Sequence, residues 1–310
     1  MDLKQLRTFL RVADLGSLSK AAEVLHIAQP ALGRQIKMLE DELSVALFTR
    51  HGRGMVLTPA GHLLLERASA ILRLVEDTRA EVSAEPNTVK GAVSLGVPPT
   101  AGEVIAGPLI EGFVKQYPGV AIRIVPAFSG YLHDMLQRGE VDLAVMYETP
   151  GVRRLRPEPM VVESLYLIGP KASKLTMKTP VRYEQLADIP MILPGPRHGL
   201  RALLEGEARN AEIRLDVPVE AESLQTLKDL VLRGLGHTIL PLAAVNDEMK
   251  TGTMCAAPII DPELSRKLVL VRSMVKPGSK AVGLFAESLK AQTVEMVRTG
   301  IWPGTLLIQE

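Results

Sequence analysis

Between Gly16 and Leu57 the chain reads GSLSKAAEVLHIAQPALGRQIKMLEDELSVALFTRHGRGMVL, two helical patterns joined by a tight turn. Ser17 and Ser19 both suit a helix N-cap. Leu18, Ala21, Ala22 and Leu25 then recur at helical spacing, which predicts a short helix ending near His26. After a turn through Ile27 and Ala28, Pro30 is pre-set for a first helical position, and Leu32, Ile36 and Leu39 mark the buried row of a second helix. At about 100° per residue, Pro30, Arg34 and Lys37 project from the opposite side, with Ala31 and Gly33 on its flanks. That face is small, flat and basic. Bulk would keep such a helix out of a DNA major groove, whereas Arg and Gln there make paired hydrogen bonds to guanine or adenine edges. Gln29 and Arg34 are therefore candidate base readers and Lys37 a candidate phosphate contact. The bland alternative is an amphipathic helix pair with a solvated charged face.

Leu3, Leu6, Phe9, Leu10 and Ala13 mark an earlier helix whose apolar face closes a small core under the pair. Downstream, Gly52 and Gly54 sit between short strand-like pieces in Thr49 to Leu57, the pattern of a β-hairpin wing carrying Arg50 and Arg53. Their expected role is backbone or minor-groove contact, against a solvated basic turn. Thr58-Pro59 then starts a long helix, with a capping hydroxyl followed by Pro at the first helical position. Leu64, Ala68, Ile71, Val75, Thr78 and Val82 alternate spacings of four and three, the seam of a two-stranded coiled coil. All but Thr78, a weak point, are expected dimer contacts. A helix of ~26 residues and ~39 Å can hold two DNA-reading heads apart on one duplex face; the alternative is that it packs on its own domain.

The order AAE, LHIAQPAL, RQI, LE, LFTR, GRG and LTPAG closely resembles the N-terminal region of LysR-type transcriptional regulators, over about Met1 to Ala84. Several spaced elements in order are more specific than any single motif. The resemblance implies a dimer or dimer of dimers on an interrupted dyad operator in double-stranded DNA, with RNA polymerase as a further partner. Two positions depart from the family pattern: Ala28 stands where Ser or Thr is usual, losing a cap, and Gly33 where Ser is usual. A mid-helix Gly costs ~1 kcal/mol against Ala, and it reads either as tolerated drift or as room for closer approach to DNA.

Glu85-Pro86-Asn87 breaks the long helix, and strand and helix patterns then alternate. Strands are predicted over 93–97, 120–126 and 141–146, with helices over 100–117 and 129–138. A second run follows from near Val162, with strands over 165–168, 189–193 and 238–240 and helices over 198–210 and 223–233. A returning strand over 267–272 and a helix over 280–298 complete the series. This predicts α/β architecture with parallel strands, in two subdomains that exchange strands through a hinge. With DLAVMY and GLGHTILP in place, the order resembles the LysR-type effector-binding domain, which implies a fold like type 2 periplasmic binding proteins. The expected fold is thus an N-terminal all-α winged helix-turn-helix over 1–58, a linker (dimerisation) helix over 59–86, and a two-subdomain α/β effector domain over 91–310. Subdomain I takes 91–162 and 268–300, and subdomain II takes 163–267. The tail from Ile301, with the only tryptophan, Trp302, falls outside the pattern.

Composition bounds the rest. With 310 residues, 46% hydrophobic, the chain can bury sizeable cores. It shows no export signal and no apolar run of ~18 residues, so a cytoplasmic protein with no membrane association is expected. The single cysteine, Cys255, forms no disulfide framework and reads as a small, partly buried residue. Net charge is only +1, and residues 1 to 58 hold eight Lys and Arg against six Asp and Glu, so affinity for DNA should depend on paired modules. The six histidines form no i, i+3 or i+4 ligand pair, so no metal is expected. Gly234 and Gly236 follow a helix and precede a strand, the reverse of a phosphate-binding turn. No nucleophile elbow occurs. Catalysis and cofactors are therefore not expected.

What remains is a small-molecule effector, and open α/β folds bind ligands beyond the carboxyl ends of strands. The candidates are Pro99, Thr100 and Ala101 after the first strand, Ser129 and Gly130 after the second and Tyr147 after the third. Subdomain II offers Pro196, Arg197, His198, Ser223 and His237. Thr100, Ser129 and Ser223 each begin a helix, where free N–H groups favour an anion. Arg197 would supply the countercharge, so a small organic acid is the expected effector. Capping alone would also explain the hydroxyls, and Arg197 would then be solvated; Arg201 reads as structural. A solute-binding protein with a fused N-terminal domain, and a regulator needing no effector, are the alternatives.

Overall fold

The structure is a computed structural model of the chain, described for residues 1–51, 54–82, 89–148, 156–196, 198–274 and 278–308. Arg53 and Arg197, both candidate site residues, lie outside the described residues, as does Gly52.

The head consists of α1 (Leu3–Leu15), α2 (Leu18–Leu25), α3 (Gln29–Leu43), β1 (Phe48–His51) and β2 (Gly54–Leu57), followed by α4 (Pro59–Val82). Asp2 and Gln5 close a capping box on α1, and Ser17 caps α2 by accepting the Lys20 amide. Ser19 is therefore a helical residue rather than a cap. Ala28 gives α3 no side-chain cap, while Pro30 occupies its first turn. Leu32, Ile36 and Leu39 are buried with Leu6, Phe9, Val12 and Ala21 in one core. Glu40 fixes the approach to the wing, its Oε1 accepting the Leu47 amide at 2.8 Å.

The seam expected on α4 has to be narrowed. Ala68 is completely buried in the head's own core, with Leu64 and Ile71 packed beside it. The helix lies along α1, and the apolar row that sequence spacing assigned to a partner is covered there by the same chain. Val75 is half-buried, and Val82 stands 82% exposed.

The second part runs β3 (Gly91–Val97), α5 (Pro99–Gln116), β4 (Val120–Pro126), α6 (Ser129–Gln137), β5 (Leu143–Tyr147) and β6 (Glu158–Ser164) in the first subdomain. The second subdomain holds β7 (Tyr166–Pro170), β8 (Val181–Arg182), β9 (Ile192–Leu193), α7 (Gly199–Asn210), β10 (Val219–Glu220), α8 (Leu224–Leu232), β11 (Thr238–Leu240), α9 (Asn246–Thr251) and β12 (Met254–Ile260). The chain then returns as β13 (Ser265–Arg272), α10 (Lys280–Arg298) and β14 (Thr305–Leu306). Six strands form one sheet in the order β14-β6-β13-β5-β3-β4, and four form another in the order β11-β7-β12-β8, with β9 and β10 paired beside it.

The sheets are mixed, which corrects the expectation of parallel strands. β3 pairs in parallel with β4 and β5, but β13 is antiparallel to both β5 and β6. A strand that re-enters its sheet from the other subdomain has no crossover helix to reverse it, so it comes in antiparallel. β6, β8, β10, β12 and β14 are strands that the sequence pattern does not predict. The chain passes between subdomains twice, at Leu165 and Leu264, and the amide of the first donates to the carbonyl of the second at 2.8 Å. No described helix is long and apolar enough to cross a membrane.

Candidate functional sites: the helix face and the interdomain cavity

On α3, Gln29, Pro30, Arg34 and Lys37 are exposed, while Ala31 and Gly33 are half-buried. The Gln29 side chain is steadied from α2, its Oε1 3.3 Å from Ser19 Oγ. Lys37 reaches one turn on to Asp41 at 2.8 Å, a contact that raises its pKa, and so exposed a pair is weak. A Cβ on Gly33 would meet nothing within 4 Å, so packing inside the protein does not demand glycine there. Of the two candidate wing cations, Arg50 lies on β1, opposite Met55 of β2.

A cavity of about 460 Å³ opens between the two subdomains. Pro99, Thr100, Ser129, Tyr147 and His198 line it, bringing together candidates from three strand ends of one subdomain and a helix start of the other. Its walls are largely apolar, with Phe128, Pro194, Leu200, Leu203, Leu224 and Leu240. Five other described candidates do not line it. Ala101 is buried in the core under α5, Gly130 and Pro196 are exposed to one side, and Ser223 caps α8 through the Thr226 amide. His237 does not line it either: its ring packs on Gly169, and its backbone joins β9 through bonds to Pro190 and Ile192. Arg201 is structural, bound to Glu205 at 2.7 Å and to Glu220 at 3.3 Å.

Thr100 and Ser129 do not cap their helices. Ser129 Oγ accepts the Tyr147 amide at 3.0 Å, and Thr100 Oγ1 lies 2.7 Å from Tyr147 Oη. The phenol donates to Glu163 Oε1 at 2.9 Å. Arg266 donates from Nη2 to both Tyr147 Oη and Glu163 Oε1, each at 2.9 Å, while its guanidinium carbon stands 3.7 Å from the Tyr147 ring centroid. The sequence reading missed Glu163 and Arg266, a buried ion pair between β6 and β13. Their only local signal is a charge set in an apolar run, VVESLYLIG and SRKLVLVR. Arg266 lines the cavity, and its Nε is buried with no partner. Burial holds the Tyr147 phenol well above its ordinary pKa, with Arg266 opposing. Burial, then the charge of Arg266, pushes His198 down to about 4. The ring is therefore neutral at neutral pH: its Nδ1 accepts the Leu200 amide at 3.0 Å, which leaves the proton on Nε2.

Known proteins match along the same division of the chain. The model of the bacterial regulatory helix-turn-helix protein, lysR family, matches residues 3–62, and that of the LysR substrate binding domain matches residues 86–294. The HTH-type transcriptional regulator BbuR of Bordetella bronchiseptica is 31% identical, spanning 98% of this chain and 94% of that one. The nitrogen assimilation regulatory protein nac of Klebsiella aerogenes is 33% identical, spanning 91% and 93%. Among solved structures, a full-length OxyR variant from Pseudomonas aeruginosa superposes with a TM-score of 0.73 at 26% identity, covering 100% of this chain and 99% of that one. CbnR in complex with its target DNA shares the fold, with a TM-score of 0.71 at 22% identity over 94% and 100% of the two chains. With both halves matched and relatives aligned end to end, this chain belongs to the LysR family of DNA-binding transcriptional regulators.

Proposed function

We propose that this regulator responds to a small organic acid bound in the cavity between its subdomains, and that occupancy changes how paired heads hold an interrupted dyad in DNA. The observation that carries this reading is Arg266, whose guanidinium lines an apolar cavity while its covered Nε has no partner in the protein. An unpaired buried donor is costly, and a ligand carboxylate that turns the guanidinium toward itself would satisfy the group. The neutral His198 offers a second donor at Nε2. The other charges argue for at most a single negative charge on an apolar body, because Glu163 already faces Arg266, Glu148 pairs with Lys267 at 3.1 Å, and Glu222, also in the lining, accepts only the Gly195 amide at 3.2 Å. In this reading the protein acts as a dimer or pair of dimers, with RNA polymerase as a further partner, and has no catalytic role.

Organic acids screened by thermal shift, followed by gel shifts on DNA upstream of the gene, test the proposal. Monocarboxylates with an apolar body should raise the melting temperature and alter the DNA complex, and Thr100→Ala, Arg197→Ala and Arg266→Gln should weaken that response. A cationic effector, or one indifferent to all three substitutions, would sink it.

A further inference from the structure

The segment after α10 lies beyond the matched effector domain, which ends at residue 294. It is nonetheless built into the site. Trp302 is completely buried, its amide bonds to the Met296 carbonyl at 2.9 Å, and its indole Nε1 donates to Glu163 Oε2 at 3.2 Å. β14 then adds to the edge of the six-stranded sheet, pairing Thr305 with Val162 and Leu306 with Val161, on the strand that carries Glu163. Gly304 permits the approach: a Cβ there would stand 2.7 Å from Val161 Cγ1 and 2.8 Å from the Val162 carbonyl.

The two oxygens of Glu163 thus face opposite ways. Oε1 holds Arg266 and Tyr147, which line the cavity, and Oε2 is held from behind by Trp302. We propose that the segment 301–308 is a positioning strap for the effector cavity, with Trp302 fixing Glu163 so that Arg266 and Tyr147 present their ligand-facing geometry. A carboxylate that loses a buried donor turns toward whatever donor remains, and in a medium of low dielectric that rotation alters every bond in the network. Without β14, moreover, β6 would be an edge strand with unpaired backbone groups, and water would reach the rear of the ion pair. The inference takes the cavity as the effector site, as proposed above, but its test needs no effector, so the two can fail independently.

Trp302 is the sole tryptophan, so isotope-labelled full-length protein gives one indole N–H resonance. Tyr147→Phe leaves Trp302 untouched but removes the phenol that donates to the far oxygen of Glu163, accepts from Arg266 and meets Thr100, and it should move that resonance by more than its line width. Tyr131→Phe, on an exposed residue of α6, should not. In the other direction, Trp302→Phe keeps an aromatic ring but removes the donor, and it should move the Arg266 Nε–H resonance, assigned by its loss in Arg266→Lys. A tryptophan that merely fills the core would change the melting temperature and leave the Arg266 signal in place. An indole signal indifferent to Tyr147→Phe, or an Arg266 signal indifferent to Trp302→Phe in a protein that still melts cooperatively, overturns the proposal. The indole measurement leaves Trp302 intact, so it decides the matter even if Trp302→Phe does not fold.

Discussion

Gly54 passes so close to Gly16 that a Cβ on the first would stand 2.4 Å from the carbonyl oxygen of the second. The same oxygen accepts the Met55 amide at 2.8 Å, which docks the wing against the turn between α1 and α2. Gly54 also has φ +131, a conformation that side chains rarely adopt. Gly54→Ala should therefore cost roughly 1–3 kcal/mol of stability and weaken DNA binding by loosening the wing. Chemical denaturation and a gel shift read both effects; an unchanged midpoint would mean that the wing moves aside freely.

Base-reading and phosphate-holding residues should fail in different ways. Gln29→Ala and Arg34→Ala should each cost ~1–3 kcal/mol and relax preference at one operator position. Lys37→Ala should weaken all sequences alike and lower the salt dependence. Binding measured on an operator library at two salt concentrations separates the classes, and unchanged preference in both of the first two variants would remove them as readers.

The linker makes a prediction the seam pattern alone would not. Ile71 packs into the head's core, so Ile71→Asp should destabilise the head itself by about 2–5 kcal/mol, whatever happens to association. Val82, exposed on the single chain, is the cleaner probe: Val82→Asp should leave the melting of the chain intact and, if the far half of α4 meets a partner, lower the sedimentation coefficient. Dimers undiminished by Val82→Asp would place that contact elsewhere.

His198 sets a pH dependence. Its folded pKa is about 4 against an ordinary 6.5, so within that window the unfolded chain binds a proton that the folded one excludes. Stability therefore rises with pH from 4 to 6.5 and is lost as pH falls through it. With the ring only partly buried, the contribution is on the order of 1–2 kcal/mol. His237, lowered by burial in the same direction, adds to the slope. His198→Asn keeps an acceptor for the Leu200 amide and should flatten the melting curve across this window; an unaltered slope would show that the ring is protonated freely in the folded state.

How legible the molecule was in its sequence depended on whether the signal was local. Val120–Pro126 and Lys280–Arg298 have the bounds the pattern predicts, because strand runs and capped amphipathic helices declare themselves within a few residues. β12 did not, since Pro258 interrupts it, nor did β6, in which Glu163 breaks an apolar run. Thr100, Ser129, Tyr147 and His198 could be placed from the rule of strand ends. Glu163, Arg266 and Trp302 could not: each is an anomaly alone, a charge or a large ring with no local reason, and the reason lies more than a hundred residues away. The α4 row is a different case. Its periodicity is real, but spacing states only that a face is covered, and it was silent on whether α1 or a second chain covers it.

The paired crossings at Leu165 and Leu264 behave like two pins on one door. Side by side and bonded to each other, they put both covalent links between the sheets at one place, where a rotation keeps the bond and a slide or twist would break it. Under the proposed effector role, a ligand in the cavity would select a value of that one angle. The wall of the cavity could then be rewritten for a new molecule while the mechanical output stayed the same.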